Sequence, residues 1–206
     1  MSFNLPNLLT FSRMAAIPVL LALFFIPGDM GRWLACTAFV IAAVTDYFDG
    51  YVARTWNQMS ELGRCLDPIA DKLLVAAVLL LLAFFNSPGI LFLLPALVIL
   101  CREVLVSGLR EYLAGVKVRL PVSGLAKWKT AIQMTAIAFL IVGDTGPSWL
   151  PVTEIGLGGL WIAAVLTLIT GYDYLSASLK HMDQPASPPA SARPPPPAAK
   201  TAAPLG

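Results

Sequence analysis

Apolar residues gather into six runs along the chain, at 14–26, 33–45, 73–85, 90–101, 131–142 and 155–170. Turn-forming residues sit in the breaks: Pro27 with Gly28, Ser87 through Gly89, and Gly146 with Pro147. Five of the runs are only 12 or 13 residues long, whereas a membrane-spanning helix needs about 20. Each short run must therefore continue as helix into a polar neighbour if it is to cross a bilayer. Those neighbours are 8–13, 46–54, 63–72, 102–113 and 124–130. Because the chain reverses at every break, the five polar extensions fall on one side. The pattern predicts an all-α, polytopic membrane protein of six transmembrane helices with a polar cavity in one half of the bilayer. Residues 4–13 are predicted to form a short N-terminal interfacial helix that starts near Pro6.

Composition agrees with a membrane protein and adds an orientation. The 206 residues are 57% apolar and only 13% charged, against about 25% charged in soluble domains. Of the 14 Lys and Arg residues, all but Arg32 fall on the side of the polar extensions. The positive-inside rule then places both termini and the mouth of the cavity in the cytoplasm. A net charge of +2 gives no footprint for a nucleic-acid partner. The single histidine, His181, lies outside every apolar run, which argues against His-ligated zinc and Ser-His-Asp chemistry. Cys36, Cys65 and Cys101 are far apart and read as packing residues. Arg13 inside the N-terminal segment, with no small-residue cleavage site after it, predicts no cleaved leader. The helical domain is predicted over 1–183. Residues 184–206, almost all Pro, Ala and Ser, are predicted to be a disordered tail without a part in the chemistry.

The chemistry concentrates in 46–71. On helices, Asp46, Asp49 and Ala53 share one face, and so do Gly63, Asp67 and Asp71. Two adjacent antiparallel helices would bring four carboxylates together. A bare charge at the bilayer centre costs roughly 2.5 to 3.5 kcal/mol, so four cost on the order of 10 kcal/mol before their mutual repulsion. The cluster is tolerable only where it faces water and binds cations. Oxygen-only donors point to hard divalent ions, Mg²⁺ above all, and a pair of them suits phosphoryl transfer. The competing account is an ion-pair cluster with Arg54, Arg64 and Lys72, but four acids exceed what those bases require. Gly50 and Gly63 would let a flat or phosphorylated group approach the backbone, or else serve ordinary helix packing.

The pattern D-x2-D-G-x2-A-R-x8-G-x3-D-x3-D occurs here without a departure. It resembles the signature of the CDP-alcohol phosphotransferase family. That resemblance implies a six-helix membrane fold in which an acceptor alcohol attacks the β-phosphorus of a CDP-linked substrate and expels CMP. Carried over by position, Asp46, Asp49, Asp67 and Asp71 would hold two Mg²⁺ ions, for which Mn²⁺ would substitute. Asp71 would also be the general base, and Gly50, Ala53, Arg54 and Gly63 would form the CDP site. The resemblance further implies a homodimer.

The acceptor is read from the remaining polar extensions. Arg102 and Arg110 lie near one face of the fourth helix, and Lys127 and Lys129 open the fifth. Arginine at this depth requires an anion. One account pairs the arginines with Glu103, Glu111 or the aspartates and leaves the lysines at lipid headgroups. The other is an acceptor phosphate site built from Arg102, Arg110, Lys127 and Lys129. Residues 4–13, 102–111 and 127–130 resemble the bacterial members of the family that form phosphatidylglycerophosphate, which favours the phosphate site. This implies CDP-diacylglycerol as donor, glycerol 3-phosphate as acceptor, and residence in the inner membrane of a bacterial cell. Asn7, Thr10 and Arg13 are candidates for touching the donor, with helix capping and interface anchoring as the alternative. Other family members, an intramembrane prenyltransferase and an aspartate-lined cation carrier are the competing functions.

Overall fold

The computed structural model describes residues 5–56, 61–86, 89–115 and 124–182, with side chains described over 12–45, 69–86, 89–115, 124–125 and 127–179. Six α-helices and one 3₁₀ turn make up the described elements, with no strand among them. They are α1 (Leu5–Phe24), α2 (Asp29–Trp56), α3 (Glu61–Asn86), α4 (Gly89–Gly115), α5 (Gly124–Val142) and α6 (Val152–Met182), with the 3₁₀ turn Gly143–Thr145 before α6. Each short apolar run and its polar extension form one unbroken helix, as the length argument requires.

The N-terminus departs from the sequence expectation. The short interfacial helix and the first apolar run are not separate, because α1 runs unbroken through both. Pro6 lies in its first turn, where the missing N–H is an orphan anyway. No glycine follows before Phe24, and Pro18 is carried inside the helix. The helix ends in tightened bonds from the Phe25 and Ile26 amides to the Ala22 and Leu23 carbonyls. Gly28 then takes φ +83°, a conformation side chains disfavour, and turns the chain into α2.

Helix α1 packs on both α2 and α3, α5 packs on α6 and α2, and α4 packs on α6 and α3. The core between them is apolar, with Leu20, Phe39, Leu74, Val78, Phe92, Ile99, Ile137 and Leu160 essentially fully buried. Small residues bring α5 and α6 together. A Cβ built on Gly156 would meet Leu140 at 2.8 Å, and one on Gly159 would meet Ala136 at 3.0 Å, so the backbones approach as in membrane helix pairs.

Many large apolar side chains point outward, among them Leu80, Phe84, Ile90, Leu97 and Ile162. Among the described residues, three helical stretches are long and apolar enough to cross a membrane: Ile69–Asn86, Gly89–Gly115 and Val152–Leu179. Polar contacts sort to the two ends. At one end Arg32 donates to Asn86 at 2.6 Å, while Asn86 donates to the Leu140 carbonyl at 3.3 Å. Arg32 also stacks over Phe24 and Phe85 at 5.0 and 5.9 Å. The other end holds the groups singled out from the sequence.

Candidate active site

Two of the four signature aspartates lie on each of two consecutive helices. Asp49 precedes the end of α2 by about two turns and Asp46 by about three, while Asp67 and Asp71 lie about two and three turns into α3. The side chains of Asp46, Asp49, Gly50, Ala53, Arg54, Gly63, Asp67, Asn7 and Thr10 lie outside the described residues, so of the signature only Asp71 is seen in detail.

Asp71 receives an ion pair from Arg13 of α1. Arg13 is 4% exposed and Asp71 46%, so a buried cation holds a carboxylate that still reaches the site's open side. The sequence offered Arg13 as a candidate donor contact; the structure pairs it with Asp71. Lys72, the next residue, leaves α3 in another direction and donates to Ser107 Oγ on α4. Its hydrogen bond thus goes to α4, while it remains an electrostatic neighbour of Asp71.

Arg102 of α4 and Lys129 of α5 converge on one carboxylate. Lys129 of α5 is ion-paired with Glu103, and Arg102 reaches the same oxygen at 3.4 Å. Arg102 also donates to Thr170 Oγ1 of α6 at 2.9 Å. Lys129 is 6% exposed, Arg102 14% and Glu103 21%, so the cluster sits inside the bundle. Gly171 makes room for it: a Cβ there would meet Arg102 Cγ at 2.9 Å and Nε at 3.2 Å. Arg110 lies two turns further along α4, exposed, over the Tyr174 ring at 5.6 Å. It is an electrostatic neighbour of Lys72, Arg102 and Lys129. One turn deeper, Gln133 Oε1 and Thr167 Oγ1 are buried without a hydrogen-bond partner, so the polar layer extends below its ion pairs.

The four candidates for an acceptor phosphate site are thus not equivalent. Arg102, Arg110 and Lys129 are brought together. Lys127 is exposed and has no ion pair among the described residues; two residues from Lys129 on a helix, it points to the opposite side of α5. The pairing of Arg102 and Lys129 with Glu103 agrees with the plainer account of these cations, but one glutamate cannot neutralise three of them. Ser107, Thr170 and Gly171 escaped sequence reasoning. Ser107 had a local signal, one turn after Glu103 and one before Arg110. Thr170 and Gly171 had none, since only the packing of α6 on α4 gives them meaning.

Comparison with known proteins places this arrangement. A family model described as CDP-alcohol phosphatidyltransferase matches residues 3–169. A protein of Rickettsia bellii is 49% identical over 178 residues, covering 86% of this chain and 97% of the relative. One from Pectobacterium atrosepticum is 41% identical over 191 residues, covering 90% and 100%. One from Cereibacter sphaeroides is 38% identical over 217 residues, covering 88% and 98%. All three carry the name CDP-diacylglycerol–glycerol-3-phosphate 3-phosphatidyltransferase.

Proposed function

The chain belongs to the CDP-alcohol phosphatidyltransferase family, and from that premise we propose that it transfers the phosphatidyl group of CDP-diacylglycerol to glycerol 3-phosphate, releasing CMP. The names of its relatives support this donor and acceptor. The structural observation that carries the acceptor is the pairing of Arg102 and Lys129 with Glu103, with Arg110 as their electrostatic neighbour, at the bundle end that holds Asp71. A phosphate monoester carries about −1.5 to −2 charges, which is what a half-buried cationic excess requires. An aspartate-lined cation carrier would leave that excess without a purpose.

The proposed chemistry uses few groups. The acceptor hydroxyl oxygen forms a bond to the β-phosphorus of the donor, the pyrophosphate P–O bond breaks, and CMP leaves with its electrons. Asp71 takes the hydroxyl proton. Arg13 holds the Asp71 carboxylate in place, and an exposure of 46% leaves it accessible to substrate. Arg102, Arg110 and Lys129 hold the acceptor phosphate. An Arg fork grips phosphate oxygens bidentately, and Lys129 adds point charge.

The donor set of Asp46, Asp49, Asp67 and Asp71 fits divalent metal ions. It offers only hard carboxylate oxygens, two from each of two consecutive helices. Two Mg²⁺ ions held there would stabilise charge on the attacking and leaving oxygens. Gly50, Ala53, Arg54 and Gly63 are proposed to receive the CDP moiety. Six spans with cytoplasmic termini in a bacterial inner membrane are part of the same proposal, supported by the six helices and the one-sided basic residues.

The test is to incubate purified protein with CDP-diacylglycerol, Mg²⁺ and a panel of alcohols and to identify the lipid formed. Phosphatidylglycerophosphate from glycerol 3-phosphate, with little product from glycerol or serine, is the expected result. Preferred turnover of a neutral or zwitterionic acceptor would refute the proposal.

A further inference from the structure

We infer that Lys72 is a specificity-determining residue for the phosphorylated acceptor: from α3 it supplies a further cation to the acceptor's phosphate, held in place by Ser107 of α4. This rests on the function proposed above and adds to it a residue that the family signature ends just short of.

The geometry begins with two neighbours on one helix. Asp71 and Lys72 are consecutive, so their side chains leave α3 about 100° apart. Asp71 turns to α1, where Arg13 meets it. Lys72 turns to α4, where its ammonium donates to Ser107 Oγ. On α4, Glu103, Ser107, Arg110 and Glu111 follow one another at helical spacing along one face. The Lys72 ammonium therefore sits between the deep Glu103–Lys129 pair and the outer Arg110. Its electrostatic neighbours are Glu103, Arg110, Asp71 and Glu111, which spans both the proposed base and the basic cluster.

Hydrogen-bond capacity points the same way. An ammonium carries three N–H donors, and a serine hydroxyl that accepts from lysine keeps its own proton to donate. Ser107 occupies one Lys72 donor, and both residues retain donors for phosphate oxygens. Glycerol 3-phosphate is short, with its phosphate at one end and the attacking hydroxyl at the other. Adjacent residues of α3, about 3.8 Å apart at Cα, would then serve its two ends: Lys72 the phosphate, Asp71 the hydroxyl. A neutral acceptor gains nothing from Lys72, so the residue discriminates as well as binds. The plainer account is a structural tie between α3 and α4, and kinetics separate the two.

The experiment uses the full chain in detergent micelles with CDP-diacylglycerol and Mg²⁺, with donor and acceptor varied in turn. Lys72→Met is expected to raise KM for glycerol 3-phosphate about ten- to a hundred-fold, the range for a lost charge-assisted bond. KM for CDP-diacylglycerol should stay within about twofold, and Lys72→Arg should recover most of the loss. Ser107→Ala should raise the acceptor KM by a smaller factor in the same direction. A lowered melting temperature with both KM values unchanged makes Lys72 a structural tie and overturns the inference. So does a rise in KM for the donor alone. Where Lys72→Met does not purify folded, Lys72→Arg and Ser107→Ala carry the same comparison. Failure of the parent protein to use glycerol 3-phosphate would overturn the proposed function itself. Normal parent turnover with an acceptor KM that responds to Arg110→Ala but not to the Lys72 and Ser107 variants would overturn only the role of Lys72.

Discussion

Replacing Gly171 by alanine puts a methyl group where the Arg102 side chain lies. The new Cβ would stand 2.9 Å from Arg102 Cγ, 3.2 Å from Nε and 3.7 Å from Cδ, whereas carbon atoms in contact prefer about 3.5 to 4.0 Å. Relief demands that the Arg102 stem move by roughly 1 Å. Its bond to Thr170 Oγ1, now 2.9 Å, then stretches past hydrogen-bonding range. A hydrogen bond to a charged group contributes about 1.5 to 3 kcal/mol, so KM for glycerol 3-phosphate should rise about ten- to a hundred-fold. Gly158→Ala is the control, because a Cβ there meets nothing within 4 Å. Helix propensity alone favours alanine over glycine by about 1 kcal/mol, so Gly158→Ala should melt higher than the parent with unchanged kinetics. Steady-state kinetics with each substrate varied, together with thermal melts in detergent, read both effects. If Gly171→Ala behaves like Gly158→Ala in kinetics and melting, Arg102 is not held as described, and its place in the acceptor site loses support.

Four further outcomes are expected. Exhaustive chelation should abolish turnover and added Mg²⁺ or Mn²⁺ restore it; activity surviving chelation would remove the two-metal proposal. Asp71→Asn should lower kcat at least about 10²-fold, the usual range for a lost general base, with donor binding largely kept, and parent-like turnover would refute the assignment of the base. Lys129→Ala should cost about 1 to 3 kcal/mol of stability by stripping a buried partner from Glu103, while Lys127→Ala stays within about 0.5 kcal/mol; equal effects would contradict the facing of α5. In a variant lacking native cysteines, a cysteine near Ser60 should resist impermeant thiol reagents in intact cells, and ready labelling from outside would reverse the proposed topology.

Helix extents were legible because a 12- or 13-residue apolar run cannot span a bilayer, so its polar neighbour had to be helical. That arithmetic held at the N-terminus too, and what it displaced was the reading of 4–13 as a separate interfacial helix. A polar stretch such as 5–13 looks interfacial, yet nothing in it breaks a helix, and α1 runs through. That Asp46 and Asp49 fall on one helix and Asp67 and Asp71 on the next was legible from spacing alone, as was the common neighbourhood of Arg102 and Arg110. Partners were not legible. The pairing of Arg13 with Asp71 depends on α1 lying against α3. That Lys129 faces Glu103 while Lys127 faces away depends on the rotation of α5 about its own axis. Periodicity gives which residues share a face; it does not say which face meets which helix.

The glycine contacts between α5 and α6 bear on how this site could be redesigned. Gly156 against Leu140 and Gly159 against Ala136 bring the two helices into close packing, so Lys129 and Thr170 stand on what is in effect a single slab. Glu103, Ser107 and Arg110 instead all belong to α4, whose side chains bridge that slab to α3. An engineer seeking room for a bulkier acceptor would find little give in the slab and one wall that can be recut, which makes α4 the place to begin a library.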